Sequence, residues 1–271
     1  MHNYTYISKN KIKTLYDQIS NINGKEVTIS GGGSLFAVKG ESSFKTKITT
    51  TNQEKIDAIR EQLKIEGSLG TLSSLRKKGF VLFSLPMYFC LDHGNKVAIW
   101  FTYDYDSEHE TLYKIIMYGS PNNLVSRDCS FSGGSSNYDV LFKIMGSIID
   151  NRYQEEKIRA IIEESDLYKR GFFHPYPKDL ELTDLVDFAF DGLLSNYERD
   201  YSFIRHLGRV PNIRANCEIL AIVHYWGIKK FDEISNIGID SQINDRYSDR
   251  CKYIKYIVGS PLYVDSGQLI V

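Results

Sequence analysis

What the chain has little of narrows its class before any motif is read. It holds 4 cysteines, Cys90, Cys129, Cys217 and Cys251, far apart and without C-x-x-C spacing. A zinc ribbon and a small secreted disulfide scaffold are thereby excluded, and reduced, mostly buried thiols are expected. Net charge is nearly absent, with 33 basic residues against 34 acidic ones. The broad basic surface needed for non-specific nucleic-acid binding is therefore not there. No apolar run reaches the roughly 18 residues that cross a bilayer. The opening "MHNYTYISKNKIK" has no apolar stretch behind a basic start, so neither a membrane span nor a signal peptide is expected and a cytoplasmic location is. The 6 histidines form no H-x-H or H-E-x-x-H pair, and no serine stands in G-x-S-x-G. Neither a metal nor a cofactor is expected.

What is present is a folded chain, 42% hydrophobic, with 19 tyrosines and 14 phenylalanines. "YTYIS" alternates as a strand and leads into "KNKIKTLYDQIS", where Ile12, Leu15, Tyr16 and Ile19 mark one helical face. Thr51 with Glu54 spells a capping box for a helix carrying Ile56, Ile59 and Leu63, with Gly67 as its stop. "FVLFSLPMYFCL" and "KVAIWFTYDYD" flank the turn-forming Asp92-His93-Gly94-Asn95, which predicts a hairpin with Pro86 at an edge or bulge. "TLYKIIMY" supplies another strand. From about Asn137 the pattern becomes helical, through Val140, Leu141 and Ile144, then Ile158 and Ile161, then a segment starting at Thr183. The nearly all-apolar "IRANCEILAIVHYWG" is expected as a central buried helix, with His224 as a hydrogen-bonded core histidine. The last apolar run, from Tyr253, needs strand partners, and these lie before residue 120.

The expected fold is α/β or α+β in a single interleaved domain over 1–271: residues 1–126 and 250–271 form a mixed sheet, and 137–230 are mainly helical. Two distant runs share the tripeptide Gly-Ser-Pro, at Gly119-Ser120-Pro121 and Gly259-Ser260-Pro261. Glycine permits a sharp turn and proline resists continuing a strand, so punctuation alone accounts for both. A ligand crevice at strand ends accounts for them as well. Two more strand ends join that reading: Ser8 with Lys9 and Lys11, and the triplet Gly31-Gly32-Gly33 followed by Ser34. The stretch "SFSGGSSNYD" before a helix could cap it or hold an anion.

"YTYISKNKIKTLYDQI", "LPMYF", "KIIMYGSPNNLV" and "VGSPLYV" together resemble an uncharacterised bacterial family of unknown function. Actinobacterial-type members have Ser-Asp where this chain has Ser8-Lys9, so no shared contact at Lys9 follows. The resemblance implies no activity.

The leading expectation is a ligand-binding or sensor protein for a small anion, a nucleotide among the candidates. Its contacts would come from Ser8, Lys9, Lys11, Gly32, Gly33, Ser34, Gly119, Ser120, Gly259 and Ser260. Two alternatives stand beside it. One is a metal-independent, phosphodiesterase-like hydrolase using His174 or His206 as its acid-base group. The other is an interaction subunit that docks a protein partner, or its own copies, through tyrosine-rich surface.

Overall fold

Alternation at the start of the chain becomes β1, Tyr4–Ile7, and the apolar stripe after it becomes α1, Lys9–Ser20. The computed structural model describes residues 4–20, 51–75, 79–91, 97–125, nine positions between 183 and 194, 214–233 and 246–266. Helix α2, Asn52–Ile65, starts on the predicted capping box, with Thr51 and Glu54 each bonding the other's backbone N–H. Gly67, at φ 62°, follows it in the left-handed conformation that glycine adopts readily.

The remaining described strands are β2 (Leu69–Gly70), β3 (Gly79–Leu91), β4 (Ala98–Asp106), β5 (Thr111–Gly119), β6 (Arg214–Lys230) and β7 (Tyr253–Ser266). β3 and β4 form the expected hairpin, in register from Tyr88↔Phe101 to Leu91↔Ala98. β4 pairs with β5 antiparallel, β5 with β7 parallel, β7 with β6 antiparallel, and β6 returns to β3. The sheet therefore closes on itself as a barrel-like ring, with β1 added to the far half of β7 and β2 to the start of β3. Pro86 lies between the β2 and β4 pairings on one edge of β3, and its carbonyl accepts from the Thr102 hydroxyl at 2.7 Å.

The fold is mixed α and β, and strands dominate it. The expectation of a central helix over "IRANCEILAIVHYWG" is overturned, because its residues from Arg214 to Gly227 lie in the 17-residue strand β6. A barrel strand covered on both faces carries apolar side chains at successive positions, so its sequence loses the period-two signature and reads like a buried helix. The final strand does return to the first-half sheet, as expected. The second Gly-Ser-Pro does not end it, since β7 runs straight through Gly259-Ser260-Pro261.

Strand alternation sorts the core into two faces. Val81, Phe83, Met87, Trp100, Ile115, Met117, Ile219 and Ile257 meet inside the ring. Phe80, Leu220 and Leu262 point the other way, against Ile12 and Leu15 of α1 and Ile56, Ile59 and Leu63 of α2. α2 is tied to the sheet by Arg60, which reaches Glu218 at 3.0 Å, and Glu218 also accepts from the Tyr263 hydroxyl at 2.6 Å. A third helix, α3, is described at positions between 183 and 194 and covers the outer side of β4 and β5, where Phe190 meets Phe101 edge-on at 6.3 Å. No helix among the described residues is long and apolar enough to cross a membrane.

Candidate functional site

β1 hands over to α1 at Ser8. The Ser8 N–H donates to the Leu262 carbonyl of β7 at 2.8 Å, and the Ser8 carbonyl accepts the first helical bond from Ile12 N–H at 2.9 Å. Ser8 is thereby the residue at which the helix begins, and Lys9, Asn10 and Lys11 form its first turn. That turn contains no acidic residue. Two lysines stand at the positive end of a helix, where the dipole and the unbonded N–H groups favour a negative charge.

β6 and β7 are out of step opposite this turn. Val223 pairs with Gly259 and Tyr225 with Val258, so His224 is the surplus residue of a β-bulge. Alternation from Ile222 puts the imidazole on the helix-covered face, and the bulge leaves position 224 out of the ladder pairs. Gly259 permits the close approach of the two strands, because a Cβ at that position would lie 2.6 Å from the carbonyl oxygen of Ile222.

The product is a compact polar cluster on the helix-covered side of the sheet. Lys11 Nζ donates to Ser260 Oγ at 2.6 Å, and Ser260 Oγ is 2.7 Å from His224 Nε2. Ser260 is 2% exposed, whereas Lys11 and His224 are half-buried and form the cluster's more open side. With Lys11 donating to its oxygen, Ser260 keeps its one hydrogen to donate to Nε2 in the tautomer that carries the ring proton on Nδ1. Burial lowers the Lys11 pKa from 10.5 to about 8, and no neighbouring charge contributes to that shift. Among the described ion pairs none includes Lys11.

The expected site residues thus divide. Lys11 and Ser260 are brought together directly, with Gly259 beside them. Ser8 and Ser120 instead gather, with Asn123, at the Tyr6 hydroxyl, on which Asn123 Nδ2 donates at 3.2 Å. Tyr6 belongs to the inner cluster, so this knot lies on the opposite face of the sheet from Ser260. Gly119 is explained there, since a Cβ would lie 2.6 Å from Tyr6 Oη. Lys9 is exposed at the first position of α1. Gly32, Gly33, Ser34, His174, His206 and the "SFSGGSSNYD" loop lie outside the described residues. Of the cysteines, Cys217 and Cys251 are free and buried.

Sequence reasoning placed His224 in a core helix and passed over a second polar cluster. Lys114, fully buried on the outer face of β5, donates to Asp187 at 2.5 Å and Asp191 at 2.8 Å, both on α3. Burial pushes its pKa down, but the two carboxylates together hold it above the usual value. Nearby, Lys229 of β6 pairs with Asp184. The legible signals were a lone cation inside the apolar "YKIIMY" and aspartates spaced i, i+4 on an apolar helix face. The charges of Lys114 and its partners satisfy one another and dock α3; those at Lys11 do not.

A model described as a family of unknown function, DUF7019, matches residues 2–177. The match includes Lys11 and ends before the strands that carry His224 and Ser260. No curated protein and no solved structure matches the chain.

Proposed function

We propose that this chain, which belongs to the family of unknown function DUF7019, recognises a small anion bound where the first turn of α1 meets β6 and β7. The ligand class is a phosphate- or carboxylate-bearing small molecule, nucleotides among them. Lys11 supplies the charge, Ser260 and the unbonded N–H groups of the first helical turn supply hydrogen bonds, and His224 orients the Ser260 hydroxyl.

The observation that carries this reading is Lys11, a largely buried ammonium whose hydrogen bond goes to a hydroxyl rather than to a carboxylate. A cation kept out of water without an opposite charge works against folding and is retained where a charged ligand completes it. The Lys114 cluster makes the contrast within the same molecule, since there the counter-charges are built in.

The test is a thermal-shift panel of purified protein against inorganic phosphate, linear and cyclic nucleotides, phosphosugars and small carboxylates. A ligand at about 100 times its Kd stabilises the native state by roughly 2.7 kcal/mol. The expected result is a selective shift that disappears in Lys11→Met and weakens in Ser260→Ala. A shift of unchanged size in both variants would place the ligand elsewhere and sink the proposal. Affinity also carries a pH signature: it depends on the protonated Lys11 and declines as pH rises through about 8.

A further inference from the structure

We propose that Ser260 is the nucleophile of a hydrolytic centre acting on carboxylic esters, with His224 as its general base and Lys11 as the cation that stabilises the charged oxygen. This rests on the anion site proposed above and deepens it: the anion held beside Lys11 is then the carboxylate that ester cleavage releases.

Two other buried hydroxyls of the described chain face carbonyl oxygens, Thr102 donating to Pro86 and Thr111 to His109. Such bonds lock a side chain and lower its reactivity. Ser260 instead sits between two side-chain nitrogens, at 2.6 and 2.7 Å. Each is within the reach required of a base or an electrostatic stabiliser. In the His224 tautomer with its proton on Nδ1, Nε2 accepts the Ser260 hydrogen and is the atom that takes it, while Lys11 donates to the same Oγ.

The backbone supports a built arrangement rather than a chance contact. His224 is the surplus residue of a one-residue bulge in β6, and beside it β6 passes so close to β7 that position 259 requires glycine. Ile222 packs on the helix-covered face and Val223 inside the ring, so alternation carries His224 to the helix-covered face, where it stands outside the ladder pairs as the surplus residue. Lys11 comes from the third position of a helix whose start is fixed on β7 through Ser8 and Leu262. All three groups are thus set by secondary structure, which holds catalytic geometry more closely than loops do.

The chemistry balances as follows. Ser260 Oγ attacks the ester carbonyl carbon while its proton passes to His224 Nε2. The tetrahedral intermediate collapses, the bond to the alcohol oxygen breaks, and the alcohol leaves with the proton from His224. Water then adds to the acyl group on Ser260, His224 taking a proton from water and returning it to Oγ. The products are the alcohol and a carboxylic acid, which ionises next to Lys11.

The test uses the full chain with two probes, an alkyl fluorophosphonate and p-nitrophenyl acetate, while inorganic phosphate binding is followed in parallel by thermal shift. With the fluorophosphonate, Oγ bonds phosphorus and fluoride leaves. Expected is one adduct on Ser260 by intact mass and peptide mapping, absent in Ser260→Ala and formed about 100-fold more slowly in His224→Gln. Phosphate should protect against labelling, and the unfolding midpoints of both variants establish that they are folded. Phosphate binding without any Ser260 adduct would overturn the nucleophile while leaving anion recognition intact. An adduct without phosphate binding would do the reverse. Labelling at an unchanged rate in His224→Gln would remove the base from the proposal, and labelling confined to another residue would refute it outright.

Discussion

Lys11 is the residue at which stability and function oppose each other. Lowering a lysine from 10.5 to about 8 means that roughly 3 kcal/mol weighs against the folded state at neutral pH, where the ammonium is buried. Removing the charge should therefore stabilise the protein. Lys11→Met is expected to unfold at higher denaturant at pH 7 than the parent while losing the anion response, measured by urea titration and thermal shift side by side. The pH dependence has a defined sign. The folded pKa lies below the unfolded one, so the penalty is full below about 8 and fades as pH rises toward 10.5. The parent should gain stability across that interval, and Lys11→Met should lack the gain.

Among the elements, β5 and β7 show why one tripeptide serves two strands differently. At the end of β5, Gly119 leaves room for the Tyr6 ring, and Ser120 and Pro121 lead into a short 3-10 turn over Pro121–Asn123. Within β7, Gly259 leaves room for the backbone of β6, and the strand continues. The two glycines therefore predict different mutational responses. Gly119→Ala crowds a side chain, at a cost of about 1–3 kcal/mol. Combining it with Tyr6→Phe should recover part of that loss, because the nearest atom is the hydroxyl oxygen. Gly259→Ala crowds a backbone carbonyl that no single side-chain change can remove. Denaturation of the two single variants and the double variant reads both effects; full additivity of Gly119→Ala and Tyr6→Phe would contradict the first.

At the scale of the whole molecule, α3 and the barrel are joined by buried charge. Lys114→Met leaves Asp187 and Asp191 without their cation, which typically costs about 3–5 kcal/mol. Adding Asp187→Asn and Asp191→Asn should return a substantial part of it, and equilibrium unfolding of the single and triple variants measures the difference. Alkaline behaviour follows from the same interior. Lys114 is raised by its carboxylates over the opposing effect of burial, and Tyr256 and Tyr263 are raised first by burial. All three favour the folded state in full below pH 10 and lose that contribution as pH climbs toward their folded values. Stability should therefore rise gently from pH 8 as the Lys11 penalty fades and then fall steeply above 10, in a profile that unfolding at stepped pH can trace.

The chain by itself determined what local spacing can encode. The capping box at Thr51, the left-handed Gly67, the stripe of α1 and the β3–β4 hairpin all depend on residues within a few positions of one another, and each was legible. Half of the site was legible too, because Lys11 and Ser260 stood out as polar groups at the ends or interruptions of apolar runs. Only tertiary structure decided the rest. Closing the ring covers the inner face of β6 and the helices cover the outer one, which erases the alternation that would have marked it as a strand. The pairing of β6 with β7, bulge included, sets His224 against Ser260 across 36 positions of sequence. Residues meet in such a cluster through strand pairing, and pairing is a property of the closed ring rather than of any one segment.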